Sequence, residues 1–297
     1  MKVGIYGQFY HENSGQYIET LLDILNEKDV KVVIEENFLN LIRENKEIAK
    51  DYPQFSTFEE LDASYDIFFS IGGDGTILQT ITYVRDLGIP IVGINTGRLG
   101  FLATIQKEHI VTSVEKILKK EYKISQRSLI ELSLEDENQQ KTSMGNLNFA
   151  LNEITISRKN STSMISVETY LDGEYLTNFW ADGLIISTPT GSTGYSLSCG
   201  GPVIMPGNSS FVLTPIAPHN LNARPLVVPD NLQISLRVSG REDKHLVSLD
   251  SRIASLPVET RIILKKAPFT IKMVTFADDT FISTLRKKLM WGEDKRN

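Results

Sequence analysis

The first 120 residues alternate short apolar runs with segments of helical period. Strands are predicted at 2–7 (KVGIYG), 31–35 (KVVIE), 66–72 (DIFFSIG) and 89–95 (IPIVGIN), continuous hydrophobic runs of the kind buried on both faces of a sheet. Between the first two, Ile18, Leu21, Leu22 and Leu25 recur at i, i+3, i+4 and i+7. That spacing makes one buried helical stripe, with Ser14 in position to cap it. Ile77, Ile81, Val84 and Leu87 predict a second helix over 76–87, and a third is predicted over 110–118. Strands that alternate with helices pair in parallel through right-handed crossovers, so residues 1–121 read as a three-layer α/β domain with a mostly parallel sheet.

From residue 122 the period drops to two, in LIELSLE, NFALNEITISR, ISVETYLDGEYLTNF, LQISLRV and HLVSLDS. A mostly-β domain is predicted over 122–278. Asp172 and Gly173, between two alternating runs, tolerate the positive φ of a tight hairpin turn. The polar stretch DENQQKTSMGN reads as an exposed hairpin loop or a disordered segment. Phe281, Leu285 and Leu289 restore helical spacing, so 279–297 is expected to form a helix that packs back on the first domain.

Composition narrows the partners. The 297 residues are 41% hydrophobic and 23% charged, which suits a globular chain with a sizeable core. A formal net charge of -6 argues against a nucleic-acid surface, which needs a basic excess. Cys199 stands alone, the N-terminus carries no apolar signal segment and no run could span a bilayer, so a reducing cytoplasm is expected, without membrane contact. Four scattered histidines and one cysteine offer no zinc-type cluster, and no metal-ligating residue is assigned.

Three polar stretches carry candidate chemistry. In SIGGDGTILQT (70–80), glycines join a buried strand to a helix; their backbone N–H groups and the helix N-terminus suit a phosphate, while Asp74 reads either as a helix cap or as a catalytic carboxylate. The stretch is no Walker A loop, because the chain contains no Gly-Lys pair, and Leu78 spoils a dinucleotide fingerprint. In LNEITISR, Asn152 and Glu153 are adjacent in a β pattern and are expected to project to opposite faces unless a bulge intervenes. In DGLIISTPTGSTGYSLSCGGP (182–202), Asp182 precedes a buried strand and a loop rich in Ser187, Thr188, Thr190, Ser192, Thr193 and Tyr195, donors and acceptors suited to a polyhydroxylated planar ligand. Arg98, in NTGRLGFL, is the local cation able to pair with a phosphate. Arg286, Lys287 and Lys288 read as a solvated helix face, His219 as a structural residue, and Tyr175 as a hairpin or stacking residue; Cys199 has no assigned role.

Taken together and in this order, GGDGT (72–76), NTGRLGFL (95–102), the NE pair and the 182–202 stretch resemble the NAD kinases, and the domain rhythm agrees along nearly the whole chain. The resemblance implies phosphorylation of the adenosine ribose 2′-hydroxyl of NAD by ATP or polyphosphate, with Mg²⁺ on the donor, in a homodimer or homotetramer whose neighbouring subunit completes a site between the two domains. It implies Asp74 as the catalytic carboxylate, and Gly72, Gly73, Thr76 and Arg98 at the phosphates. Gly75, Asn152, Glu153, Asp182, Thr193, Gly194, Tyr195, Ser198 and Asp250 would contact the dinucleotide. Gly194 stands where the family often has Ala, and Ser251 follows Asp250 where the family often has Gly. Diacylglycerol-type lipid kinases share a GGDG loop, so a lipid kinase and a non-catalytic dinucleotide sensor remain as alternatives.

Overall fold

The computed structural model describes all residues except 10–11, 46–49, 98–99, 136–140, 144, 161–162, 259, 278 and 292–297. The chain divides into two units, 1–126 with 271–297, and 127–270. The first contains β1 (Lys2–Gly7), α1 (Glu12–Glu27), β2 (Lys31–Glu35), α2 (Glu36–Asn45), β3 (Gln54–Phe55), β4 (Ile67–Ile71), α3 (Asp74–Val84), β5 (Ile91–Asn95), β6 (Ile105–Gln106) and α4 (Ile110–Leu118). Its sheet runs β3-β2-β1-β4-β5, parallel throughout, with β6 paired parallel to β5. All five residues of β4 and of β5 are buried, as their unbroken apolar runs require. The stripe Ile18, Leu21, Leu22 and Leu25 packs into the core with Val3, Ile34 and Phe69.

Helix starts differ from the sequence reading. α1 begins at Glu12, two residues before Ser14, and α3 begins at Asp74 instead of Thr76. Apolar periodicity marks the buried stripe of a helix and is silent about polar residues that extend it towards the N-terminus.

The second unit is built from most of β7 (Lys123–Glu135), β8 (Lys141–Ser143), β9 (Phe149–Ala150), β10 (Glu153–Arg158), β11 (Ile165–Leu171), β12 (Glu174–Ala181), β13 (Gly183–Ser187), α5 (Tyr195–Ser198), β14 (Ser210–Ile216), β15 (Leu226–Pro229), β16 (Ile234–Gly240), β17 (Lys244–Leu249), β18 (Arg252–Pro257) and the first ten residues of β19 (Arg261–Thr275). One antiparallel sheet has the order β15-β14-β13-β10-β17-β18. Strands β12, β11, β16 and β19 form a second, and the two share a core that includes Ile154, Ile186 and Val247 from the first sheet and Val167, Leu236 and Leu264 from the other. The Asp172–Gly173 hairpin forms as expected, with φ of 48° and 87° at its two turn residues. Part of DENQQKTSMGN pairs as β8 against β7; residues 136–140 and 144 lie outside the described residues.

Helix α6 (Phe281–Leu289) belongs to the first unit. The Thr280 hydroxyl caps it by accepting the Ser283 N–H at 3.1 Å, Leu285 is buried, and Phe281 lies 6.3 Å from Phe101, ring to ring. Among the described residues no helix is long and apolar enough to cross a membrane.

One core residue makes stability depend on acid. His245, on β17 between Arg158 of β10 and Leu256 of β18, is fully buried, and neither ring nitrogen has a hydrogen-bond partner among the described residues. Burial pushes its pKa down to about 4 from 6.5. Between those values the unfolded chain takes up a proton that the folded chain refuses, so this contribution is intact above pH 6.5 and is lost as pH falls towards 4. Urea titrations at pH 7 and pH 5 are expected to differ by about 2 kcal/mol more in the parent than in His245→Leu. An unchanged difference would mean that His245 is not the neutral buried group.

Candidate active site

In an open parallel sheet, the connections leaving two neighbouring strands in opposite directions open a crevice at the strands' carboxyl ends. Here that pair is β1 and β4: β1 leads through α1 to β2 on one side, while β5 follows β4 on the other. Gln8 follows β1, the GGDG turn follows β4, and Thr96 and Gly97 follow β5. Together they line a hollow of about 330 Å³ with Gly72, Gly73, Gly75 and Thr76. Gly72 has φ 150°, and a Cβ there would stand 2.2 Å from the Thr76 hydroxyl oxygen. Gly73 and Gly75 border open space, so their missing side chains leave room for a ligand against the backbone.

Asp74 is not the helix cap. Gly73 holds that position with no side-chain bond, and the Asp74 carboxylate turns instead to the loop after β5. Its Oδ2 accepts the Phe101 N–H at 2.7 Å, while Oδ1 accepts Leu102 N–H at 3.0 Å and Ala103 N–H at 3.4 Å. Gly100 makes this approach possible, because a Cβ there would lie 1.9 Å from Oδ1. A carboxylate offers about four lone-pair sites, so three backbone bonds leave one open. These backbone donors carry no side-chain signature; the one sequence mark of them is Gly100. Gln8, whose Oε1 accepts the Thr76 hydroxyl at 3.5 Å, was also missed, and its place directly after β1 was the available signal. Arg98 lies outside the described residues.

In the second unit, β10 is flanked by β13 and β17, antiparallel on both sides. The start of β10 therefore meets the end of β13 and the end of β17, which brings Asn152, Glu153, the loop after Ser187 and Asp250 to one end of the sheet. Asp250 is the organiser. Its carboxylate is 1% exposed and accepts N–H bonds from Leu151 at 3.0 Å, Asn152 at 2.8 Å and Glu153 at 3.2 Å. Arg252 stands 3.9 Å from it and donates to the carbonyls of Leu147 and Phe149.

Asn152 and Glu153 do not diverge. A Cβ placed on Gly194 would lie 3.1 Å from Glu153 Oε2 and 3.8 Å from the Asn152 amide nitrogen, so both side chains reach the same neighbour. Strand alternation fails at this pair because β10 begins at Glu153, leaving Asn152 in the preceding bend. Glu153 Oε2 is buried without a partner among the described residues. Burial first, and then the neighbouring Asp250 carboxylate, push the Glu153 pKa up to about 8, against the lowering effect of the Tyr195 N–H. At neutral pH it is a protonated donor.

The hydroxyl-rich loop also departs from expectation. Ser187, Thr188, Thr190, Ser192 and Ser196 are buried. Thr188 donates to Leu151 O at 2.5 Å, Ser192 to Pro189 O at 2.7 Å, Ser187 to Thr188 O at 3.0 Å, and Ser196 shares a 2.8 Å bond with Thr214. These hydroxyls hold the loop's own shape, since a buried hydroxyl must find a partner. Gly191 lets the loop touch β10's entrance, where a Cβ would stand 2.0 Å from Asn152 O. Thr193, Gly194, Tyr195 and Ser198 keep accessible surface, with Tyr195 46% exposed. Asp182 stands at the opposite end of β13, ion-paired to Arg158 at 2.8 Å, yet the loop folds back far enough for the Tyr195 hydroxyl to feel it. Burial, then Cys199, Asp182 and Glu153, push that hydroxyl's pKa up. Tyr175 contacts Tyr170 edge-on across the hairpin, and His219 donates its backbone N–H to Trp180 O.

Comparison with known proteins places this geometry. Residues 3–122 match the ATP-NAD kinase N-terminal domain, and 151–276 match the ATP-NAD kinase C-terminal domain. Proteins named NAD kinase from Christiangramia forsetii and Flavobacterium psychrophilum are 62% and 56% identical over 297 residues, covering 100% of both chains in each case. One from Bacteroides fragilis is 39% identical over 296 residues, again covering 100% of each chain. Among solved structures, yeast NADH kinase complexed with NADH shares the fold, with TM-score 0.87 and 23% identity over 99% of this chain and 88% of that one. An NAD kinase from Archaeoglobus fulgidus in complex with ATP has TM-score 0.74 and 26% identity over 98% and 99% of the respective chains. With both domain models matched in order and full-length relatives far above the identity at which families diverge, the chain belongs to the NAD kinase family.

Proposed function

We propose that this chain transfers the terminal phosphoryl group of ATP to the 2′-hydroxyl of the adenosine ribose of NAD, giving NADP and ADP, with Asp74 as the catalytic carboxylate. The observation that carries the reading is Asp74 itself: its carboxylate keeps a lone-pair site beyond three backbone bonds, and its chain neighbours Gly73 and Gly75 both line the hollow at the switch point of the sheet. At the positive end of α3 the Gly73 N–H faces phosphate oxygens, while the Gly72 and Thr76 N–H groups, donated to Ile94 O and Gly73 O, hold the shape of the turn around them. Arg98, by its place after β5, supplies a cation for the donor. In the displacement, the ribose oxygen bonds to phosphorus as the bond to the ADP oxygen breaks, and the hydroxyl proton passes to Oδ2 late, once the new bond has made it acidic. A carboxylate is too weak a base to remove that proton beforehand, so Asp74 orients first and accepts second.

The chemistry of the donor set suits a divalent ion carried by ATP. Among the described residues no three His, Cys, Asp or Glu side chains cluster to hold a metal. Magnesium commonly rests on substrate phosphates and water, which would leave the open site of Asp74 to the hydroxyl. Carried by ATP, the ion would neutralise phosphate charge.

For the dinucleotide, Asn152 and protonated Glu153 offer an amide and an O–H donor to sugar or base acceptors, while Thr193, Gly194, Tyr195 and Ser198 supply an accessible surface; Gly75 leaves room for the ribose. Asp250 acts as a positioning residue, because its carboxylate is spent on the backbone of 151–153. Asp182 contributes through its charge on the Tyr195 side. Self-association in the cytoplasm is part of the reading: Trp180 at 56% and Leu221 at 91% exposure leave apolar surface on this unit that a second copy would cover.

Asp74→Asn is expected to lower NADP formation by about 10² or more, while the thermal midpoint drops by only a few degrees; near-normal turnover would reduce Asp74 to a loop tie. The same assay with polyphosphate in place of ATP, and with diacylglycerol in place of NAD, identifies donor and acceptor. Glu153→Gln, a neutral isostere, is expected to keep NAD affinity at pH 7 within about threefold. Because the raised pKa keeps Glu153 protonated below about 8, parent affinity should fall about tenfold per pH unit above that value, and the Gln variant should not. Parallel profiles would show that the proton on Glu153 has no part in binding. Trp180→Arg is expected to shift the sedimentation coefficient towards that of the single chain, and an unchanged value would move the interface elsewhere.

A further inference from the structure

A second hollow in the first unit, of about 290 Å³, lies away from the glycine turn. Its walls come from β6 and the residue before it, the first turns of α4, the end of the last strand and α6. Among the described residues that line it, two lysines, Lys116 from α4 and Lys287 from α6, stand with His109 from the preceding turn and one acid, Asp279. Two ammonium groups in one hollow are notable on a chain of net charge -6. Lys116 stands 5.9 Å from the centre of the Phe276 ring, which gives the cation an apolar support. Among the described residues, Lys287 makes no ion pair.

The start of α4 completes the arrangement. Its N-cap is His109, whose side chain makes no capping bond, so the N–H groups of the first turn lack a side-chain acceptor. Ser113, on that turn, lines the hollow and is only 9% exposed, and its hydroxyl has no hydrogen-bond partner among the described residues. Thr112 also lines the hollow, its hydroxyl proton donated to His109 O at 3.1 Å. The Ser113 hydroxyl, on a side chain buried this far, calls for a partner. Two ammonium groups, the Ser113 hydroxyl and a helix N-terminus converging on one space share a single complement, a compact oxyanion with several acceptor oxygens.

We propose that this hollow is a binding site for inorganic phosphate or a small phosphate monoester, separate from the donor site at the glycine turn. The phosphoryl oxygens accept from Lys116, Lys287, Ser113 and the N-terminal turn of α4. Its position gives it leverage on catalysis: Thr104, Ile105 and Gln106 line it, and they follow directly on Phe101, Leu102 and Ala103, whose N–H groups hold Asp74.

The test is lysine-resolved reductive methylation of the full chain, read by mass spectrometry, with inorganic phosphate, glycerol 3-phosphate or sodium chloride at equal ionic strength. Protection scales as 1 + [L]/Kd, so at twice the dissociation constant Lys116 and Lys287 should be methylated about threefold more slowly. Lys31 and Lys265 should be unaffected. Protection of Lys116 should vanish in Lys287→Glu and persist in Lys287→Arg. Protection by phosphate identifies the free ion as a sufficient ligand, and protection by the ester alone identifies the monoester. Slowing of all lysines alike, no slowing with either anion, or Lys116 protection that survives Lys287→Glu would overturn the proposal.

Discussion

A single kind of contact organises both candidate ligand surfaces: one aspartate carboxylate accepting three consecutive backbone N–H groups. Asp74 takes those of 101–103, and Asp250 takes those of 151–153. Loops that leave a sheet end carry peptide groups with no strand to pair with, and burying them unpaired is costly. An ionised side chain satisfies three at once with charge-assisted bonds, stronger than neutral ones. It therefore fixes loop conformation more firmly than packing alone. The two cases differ in their surroundings. Each keeps one acceptor site by count, but Asp250 is enclosed beside Arg252, whereas Asp74 is part-exposed. The same device thus serves in one unit to aim other side chains and in the other to aim the acid itself.

Around Asp250 the site is assembled from the inside outwards. The buried hydroxyls of Ser187, Thr188, Ser192 and Ser196 bind their own loop, and that loop presents Thr193, Gly194, Tyr195 and Ser198. Enclosure also sets the charge state. Glu153 lies close enough to Asp250 that both cannot readily carry charge; burial raises both, but three N–H bonds and Arg252 favour the charged form of Asp250, so Glu153 holds the proton. A ligand there would meet an O–H donor where composition alone would have promised an anion.

Much of this architecture was readable from the chain. Continuous apolar runs located β1, β2, β4 and β5, helical spacing located α1, α3 and α6, and Asp172–Gly173 located a hairpin, because each feature is a local rule written in side chains. The site motifs were visible for the same reason. What escaped notice depended on partners distant in sequence. Backbone donors such as Phe101 N–H look alike in every sequence, so Asp74 stood between a cap and a catalytic carboxylate until its acceptor role towards residues nearly thirty positions away was seen. Counting hydroxyls in TPTGSTGYS overstated what faces a ligand, since the count is blind to which of them are consumed internally. Asn152 and Glu153 were assigned opposite faces because the alternation rule was applied one residue before the strand began.

Gly100 gives the Asp74 contact a consequence for change over time and for redesign. Any side chain at position 100 would occupy the space of the carboxylate, with even a methyl carbon only 1.9 Å from its oxygen. Positions 74 and 100 are therefore one mutational unit. A larger residue at 100 becomes admissible only after the acid at 74 has gone, and an acid restored at 74 finds no seat until 100 is bare again. Each single step passes through a form that has lost the contact, a valley that shields the pair from gradual drift. A graft of the glycine turn onto another scaffold would have to carry the distant loop with it.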